Sequence, residues 1–310
     1  ASATFDGSNW SIPDDSSNSN TGTSSGMTAA NLVQSTLNIT TPYSRYALDF
    51  DGTNDYIDCG NNLDFERTDS FSGSVWVNLD AAKTSQILGK QLNSSPFSGY
   101  AIQTTLANKI RIALFNSLSN LLVVETNSTI STGSWYHITF SYDGSSSATG
   151  VKIYIDGGLV SSNVINDNLT SSISNSASFS IGSRNNAGIH FNGKLSNISI
   201  WNAALTSAQV TELYNQGKPS NLNNYSAYSN LVSWWQLGEN SSFDGTNWTV
   251  LDEKGTNNGT SANMTEADLV NGVGTSANGL SDGMGGADNI IGDAPYSTAN
   301  AISYGMGVNA

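Results

Sequence analysis

Trp135-Tyr136-His137-Ile138-Thr139-Phe140-Ser141-Tyr142-Asp143-Gly144 runs into Val151-Lys152-Ile153-Tyr154-Ile155-Asp156-Gly157-Gly158-Leu159-Val160. Then come Phe179-Ser180-Ile181-Gly182 and Phe191-Asn192-Gly193-Lys194-Leu195-Ser196-Asn197-Ile198-Ser199-Ile200-Trp201. Each run alternates bulky and polar residues and is bounded by Gly, Asn, Ser or Asp. That pattern predicts antiparallel strands with one face on a core and one in water. Upstream, Tyr46–Phe50 and Asp55–Cys59 flank Asp51-Gly52-Thr53-Asn54, which reads as a strand, a hairpin-type turn and a strand. Phe71–Leu79 alternates clearly, and shorter strands follow near Ile87, Ile102, Ile112 and Val123. Spacing of roughly ten residues with Gly-rich turns predicts a sandwich or jelly roll. One helix is expected after Thr206-Ser207-Ala208-Gln209, which has capping-box form, with Val210, Leu213 and Tyr214 on one face.

The two ends of the chain resemble each other. Phe5-Asp6-Gly7-Ser8-Asn9-Trp10-Ser11-Ile12 matches Phe243-Asp244-Gly245-Thr246-Asn247-Trp248-Thr249-Val250. Asp14-Asp15 matches Asp252-Glu253, and Met27-Thr28 with Leu32-Val33 matches Met264-Thr265 with Leu269-Val270 after a one-residue gap. Pro42-Tyr43-Ser44 has an echo in Pro295-Tyr296-Ser297. This is an internal repeat of about thirty residues. Residues 1–44 are expected as an extended N-terminal arm, 45–218 as the jelly roll, and 219–310 as a C-terminal extension. The extension holds a strongly apolar strand at 230–238 and repeat copy 2 at 243–270. From 271 onward Gly, Ala and Asn dominate, and such a segment needs something to pack against.

Composition narrows the functions. The chain has 310 residues, 37% of them hydrophobic, with seven Trp and twelve Tyr, enough for a substantial core. Net charge is −14, so nucleic-acid and anionic-membrane binding are not expected, since no basic patch exists to release counterions. No apolar run is long enough to span a membrane. The single cysteine, Cys59, excludes an intrachain disulfide and reads as a small core residue. The sequence begins with Ala and no signal peptide, which reads as a processed or trimmed N-terminus.

Residues 45–217 resemble the laminin-G-like, concanavalin A-like jelly-roll domain. The resemblance rests on Leu48-Asp49-Phe50-Asp51-Gly52 with Asp55-Tyr56-Ile57, Ser74-Val75-Trp76-Val77, Ser134-Trp135-Tyr136-His137, and Tyr142-Asp143-Gly144. It continues through Ile153-Tyr154-Ile155-Asp156-Gly157, Phe191-Asn192-Gly193-Lys194 and Trp201-Asn202-Ala203-Ala204-Leu205. It implies an all-β antiparallel sandwich with one short helix. Such domains commonly open with a strand like Leu231-Val232-Ser233-Trp234-Trp235-Gln236-Leu237, followed by a turn like Asn257-Asn258-Gly259-Thr260. Here that strand follows the domain instead of preceding it. It can fill its own domain's slot, be donated to the next copy, or begin a truncated second domain. Leu231, Val232, Trp234, Trp235 and Leu237 are therefore the candidate assembly residues. The arrangement is similar to virion proteins of marine tailed bacteriophages.

The resemblance also implies candidate sites. Relatives that cleave glycans use closely spaced carboxylates on one strand. No such run occurs, and Asp64, Glu66 and Asp69 lack that spacing. His137 reads as structural. Relatives often bind Ca2+ through strand-end oxygens, making Asp51, Asn54 and Asp55 the metal candidates, with Asp143 or Asp156 as further donors. Asp-Gly turns explain the same residues without a metal. Ser196-Asn197 stands where many relatives have an acidic pair, which lowers the case for Ca2+. Glycan contact would fall to Asn185, Asn186, His190 and Phe191, together with Tyr100. The expectation is a non-catalytic structural or adhesion protein on a virion surface or another extracellular assembly, requiring no cofactor. Its partners would be copies of itself, other virion or surface proteins, and host cell-surface glycans. A Ca-dependent lectin module is the alternative, and a divergent glycan hydrolase the third reading.

Overall fold

The structure, a computed structural model, describes residues 4–12, 20–31 and 44–273. The chain divides into two compact units, Ala1–Thr40 and Thr41–Ala310. Of the repeated residues, Asp14-Asp15, Leu32-Val33, Pro42-Tyr43 and Pro295-Tyr296-Ser297 lie outside the described set, as does everything after 273.

The larger unit is a sandwich of two antiparallel sheets. One sheet runs Gly158–Leu159, Val151–Ile155, Trp135–Tyr142, Phe71–Leu79, Asn192–Trp201, Tyr46–Asp51 and Leu269–Asn271 from edge to edge. The other runs Ser162–Asp167, Asn120–Thr126, Ile110–Ser117, Gly99–Thr104, Ser85–Gln91, Phe179–Ile181, Tyr56–Asp58, Gly259–Ala262, Trp248–Val250 and Ser242–Phe243. The main core lies between them and includes Phe50, Ile57, Phe71, Val75, Phe140, Phe179, Phe191 and Trp235. The helix Ser207–Tyr214 forms with the expected capping box, Thr206 and Gln209 exchanging bonds.

Two expectations are corrected here. Tyr46–Asp51 and Tyr56–Asp58 are not a hairpin, because they belong to opposite sheets. The Asp51 N–H donates to Asp55 Oδ2 at 2.9 Å, so the turn is closed by a side chain while each strand pairs elsewhere. The polar face of the central strands is also not in water. Ser72, Ser74, His137, Thr139, Ser141 and Ser199 are all buried. The helix and the segment after it cover that face with a second cluster, including Val210, Leu213, Leu222 and Tyr225. Small hydroxyl residues permit this close approach and satisfy themselves locally. Ser72 Oγ donates to the Ala203 carbonyl at 2.7 Å, and Ser141 Oγ to that of Leu205 at 3.0 Å.

The strand Leu231–Trp235 pairs antiparallel with Asn192–Trp201, in register from Ile198↔Trp235 to Trp201↔Leu231. Tyr46–Asp51 pairs only with the first part of that strand, from Asn192↔Asp51 to Leu195↔Leu48. The remainder needs a second neighbour, and residues 231–235 supply it. Adjacent tryptophans point to opposite faces, as strand geometry requires. Trp235 stacks on Phe179 in the main core, at 5.5 Å between ring centroids, and Trp234 joins the cluster beneath the helix. Burying one indole removes about 150–250 Å2 from water, worth at most roughly 4–6 kcal/mol. Leu231, Val232, Trp234, Trp235 and Leu237 thus close their own domain. All five pack within their own chain, the first of the three arrangements open to this strand.

The segment expected as a C-terminal extension contributes to both sheets. Gly259–Ala262 pairs with Tyr56–Asp58, and Leu269–Asn271 pairs with Tyr46–Asp51. Asp252 fastens this segment to the closing strand. Its Oδ1 accepts from Trp234 N at 2.9 Å, Lys254 N at 3.1 Å and Gly255 N at 3.0 Å, and its Oδ2 from Asn257 N at 3.1 Å.

The smaller unit is a three-stranded antiparallel sheet in the order Thr4–Phe5, Trp10–Ile12, Gly22–Thr23. Within the extended arm expected here, residues 4–12 and 20–31 form this folded element.

Candidate functional site at the sandwich rim

The turn 51–55 and the loop 184–190 meet at one end of the sandwich. Gly52 sits against Asn192 with a left-handed φ of 74°. A Cβ there would lie 2.7 Å from the Asn192 Cβ, so the turn depends on glycine. Lys83 Nζ donates to the Gly52 carbonyl. His190 Nδ1 lies 3.3 Å from the Asp55 carbonyl oxygen, and its ring is 6.5 Å from that of Tyr56. Both rings are half-buried. Asn263, from the β-strand-to-turn segment of repeat copy 2, donates Nδ2 to the Asn54 carbonyl at 2.8 Å.

The residues expected to bind glycan divide into groups. His190 reaches the rim. Asn185 and Asn186 adopt left-handed conformations in the loop, with φ of 47° and 60°. Their Oδ1 atoms accept from Ser178 N at 3.2 Å and Ser180 Oγ at 2.6 Å, so their amides brace the loop. Phe191 is a correction. It is fully buried with its ring against Phe50, 6.2 Å between centroids, and presents no face to a sugar. Phe191 lies at the end of the loop, just before the strand Asn192–Trp201, and is buried, whereas His190 beside it is half-buried. Tyr100 is buried as well, donating its hydroxyl to the Leu63 carbonyl at 2.8 Å. Tyr56 was read from the sequence only as part of a strand. Its place on the rim follows from the cross-sheet turn, which no local pattern signals.

The metal candidates take part in the turn itself. Asp51 Oδ1 accepts from Thr53 N at 2.6 Å and Asn54 N at 3.2 Å, which makes it a turn cap and holds its pKa below the usual carboxylate value against its partial burial. Asn54 is exposed with its carbonyl already engaged. Asp55 is buried, and burial pushes its pKa up to about 6, with the charges of Asp51 and Asp268 adding to the rise. Among the described residues, no three His, Cys, Asp or Glu side chains group closely enough to hold an ion. Asp156 is likewise engaged, accepting from His137 N at 2.8 Å, and Asp143 accepts from Ser145 N at 2.9 Å.

The remaining acidic residues hold loops. Glu66 Oε1 accepts from Ser174 N at 3.1 Å, and Asp64 accepts from the Ser174 hydroxyl. Asp69 Oδ2 accepts from Glu66 N at 2.8 Å. His137 lies beneath the helix beside a cavity with room for about one water, lined by Ser74, Trp76, Asn197 and Trp234. Its Nε2 is 2.7 Å from Ser74 Oγ, and burial pushes its pKa down to about 3. A histidine held neutral among serines and tryptophans is a packing residue. Cys59 is buried, its thiol pKa raised well above normal by that burial.

Residues 51–211 match the family described as the concanavalin A-like lectin/glucanases superfamily. The chain belongs to that family. Its fold is similar to that of a protein from Bacteroides ovatus described as a candidate carbohydrate-binding protein. That likeness has 19% identity, a TM-score of 0.51, and coverage of 74% of this chain and 60% of that one. This chain therefore spans 60% of the length of that protein. A heptameric SAP-like pentraxin from Limulus polyphemus aligns at 14% identity and TM-score 0.44, over 74% of this chain and 95% of that one. Domain 4 of an extracellular arabinanase from Geobacillus stearothermophilus, in complex with arabinotriose, aligns at 24% identity and TM-score 0.36, over 47% and 66%. At 19% identity the likeness to the Bacteroides protein speaks to fold alone. Among curated protein sequences there is no match.

Proposed function

We propose that this domain recognises carbohydrate at the rim formed by residues 51–56 and 184–190, and serves as a non-catalytic adhesion or structural module. The half-buried Tyr56–His190 pair, bordered by the exposed Asn54 and Asn263, carries this reading. Aromatic faces beside amide groups suit the alternating CH and hydroxyl surface of a sugar. The carboxylates nearby are engaged in turns and loops, so the site supplies shape and hydrogen bonds in place of an acid and a nucleophile. The carbohydrate-binding description of the Bacteroides protein and the family match support the same reading.

Display on a virion surface or another extracellular assembly belongs to this proposal. So do host-surface glycans, copies of the chain and other surface proteins as partners. The acidic net charge of −14 supports a role away from nucleic acid. Among the described residues, no helix is long and apolar enough to cross a membrane.

A glycan array probed with the wild-type chain tests the proposal. Binding should be lost in Tyr56→Ala and His190→Ala and retained when EDTA is present. Loss with EDTA and recovery with calcium would reinstate Asp51, Asn54 and Asp55 as ligands. Release of sugar from a polysaccharide would overturn the non-catalytic reading.

A further inference from the structure

Where both are described, the two repeat copies share one local structure in two situations. Phe5 pairs with Trp10 and Phe243 with Trp248, at ring separations of 5.2 and 5.3 Å and the same 44° tilt. Asp6 Oδ1 caps Ser8 N and Asn9 N as Asp244 Oδ1 caps Thr246 N and Asn247 N. Trp10 N donates to Ser24 Oγ, and Trp248 N to Ser261 Oγ, both at 2.7 Å. The indole of Trp10 donates to the Thr28 carbonyl at 2.9 Å, and that of Trp248 to the Thr265 carbonyl at 2.8 Å. Even the left-handed turns coincide, with φ of 69° at Gly26 and 65° at Asn263.

What differs is the docking face. In copy 2, Gly259–Ala262 adds to Tyr56–Asp58, and Val250 and Met264 are buried in the main core. Their counterparts Ile12 and Met27 are 52% and 42% exposed. Gly22–Thr23, the counterpart of the docking strand, is an outer strand with no further strand beside it among the described residues. The glycine is the most telling position. A Cβ on Gly259 would lie 2.4 Å from Ile57 Cγ2 and 3.2 Å from Cys59 Sγ, so docking demands glycine there. A Cβ on Gly22 would meet only Ile12, at 3.8 Å, and Gly22 has no left-handed φ. Nothing within its own unit requires Gly22, whereas packing against an Ile57–Cys59 strand would.

We propose that the unit containing residues 4–31 is a docking module for a second copy of this jelly roll, adding its Gly22–Thr23 strand to that copy's Tyr56–Asp58 strand. Ile12 and Met27 would enter the positions that Val250 and Met264 fill. This deepens the self-association part of the proposed function and does not depend on glycan binding. In the second copy the edge is held by a tethered copy 2, so docking is an exchange between closely matched modules. A short tether gives the resident an effective concentration of about 1 mM, and the incoming module competes only when crowded or when the resident is weakened.

Sedimentation velocity on full-length chains from about 1 to about 100 µM tests this directly. Gly259→Val, which clashes with Ile57 only in copy 2, should associate at a concentration at least about tenfold lower than wild type. Adding Ile12→Asp should return it to monomer, while Ile12→Asp alone leaves the wild-type chain unchanged. A Gly259→Val chain that stays monomeric, or that associates regardless of Ile12→Asp, would overturn the proposal. A second variant guards against misfolding: the full chain with residues 243–270 replaced by residues 5–33. It should keep one cooperative thermal transition within a few degrees of wild type, and loss of that transition would also overturn the proposal. Glycan-array binding is a separate readout, so either reading can fail without the other.

Discussion

The described residues of 4–31 share turns, tryptophan anchors and cap bonds with 242–271, yet Ile12 and Met27 are exposed where Val250 and Met264 lie in a core. The comparison separates two kinds of determinant. Short-range bonds, such as an aspartate capping its own turn, shape a segment wherever it stands. Burial depends on whether a partner strand lies alongside. The same distinction applies to Trp234 and Trp235, whose strand is useful only because half of Asn192–Trp201 lacks a neighbour.

The largest test is to truncate the matched tryptophans. Trp248→Ala should cost about 3–5 kcal/mol of jelly-roll stability in a denaturant titration, because Trp248 is buried in the main core. Trp10→Ala should leave the jelly-roll transition within about 0.5 kcal/mol of wild type. Equal costs would break the comparison. Next is Asp252→Ala, which strips the acceptor from four backbone N–H groups, one of them that of Trp234. It should cost about 2–3 kcal/mol. Its counterpart in copy 1 lies outside the described residues.

A pH series comes third. His137 is held neutral by burial, with its pKa down at about 3 from 6.5, so the stability it contributes above pH 6.5 is lost as pH falls toward 3. Asp55 works in the opposite sense. Its pKa, raised from 3.8 to about 6, means its contribution is greatest below pH 3.8 and is lost as pH rises through 6. The two offset each other between pH 4 and 6. Asp55→Asn should steepen acid destabilisation in that window, and His137→Gln should flatten or reverse it, each by at most about 1.4 kcal/mol per pH unit. Asp268 adds to the rise at Asp55, and the matching position in copy 1 is Asn31. Asp268→Asn should therefore lower the Asp55 pKa, measurable by NMR titration. The smallest effect is at the turn caps. Asp244→Ala should loosen hydrogen-exchange protection at Thr246 and Asn247, with a small loss of jelly-roll stability. Asp6→Ala should change only hydrogen-exchange protection at Ser8 and Asn9.

Much of the fold was legible in local pattern. Alternation marked the strands from Phe71 to Trp201, and Thr206 with Gln209 marked the helix start. The repeat was legible because matched Trp, Met and Asp-Gly positions do the same work in both copies. The site was less legible. Phe191 and His190 look alike as loop residues, and only the folded loop separates a core ring from a rim ring. The serine-rich faces of the central strands looked solvated, because a sequence shows polarity without showing what covers it.

The sequence by itself determined the strands, the capped helix, the duplicated ends and the acidic, disulfide-free character of the chain. These depend on alternation, turn chemistry and composition within a few residues. Tertiary structure alone decided that Asp51–Asp55 crosses between sheets, that Leu231–Trp235 closes its own sandwich, and that the two copies differ in burial. Those outcomes depend on which strand edge lies free beside a segment, and edges are made by residues far apart in the chain.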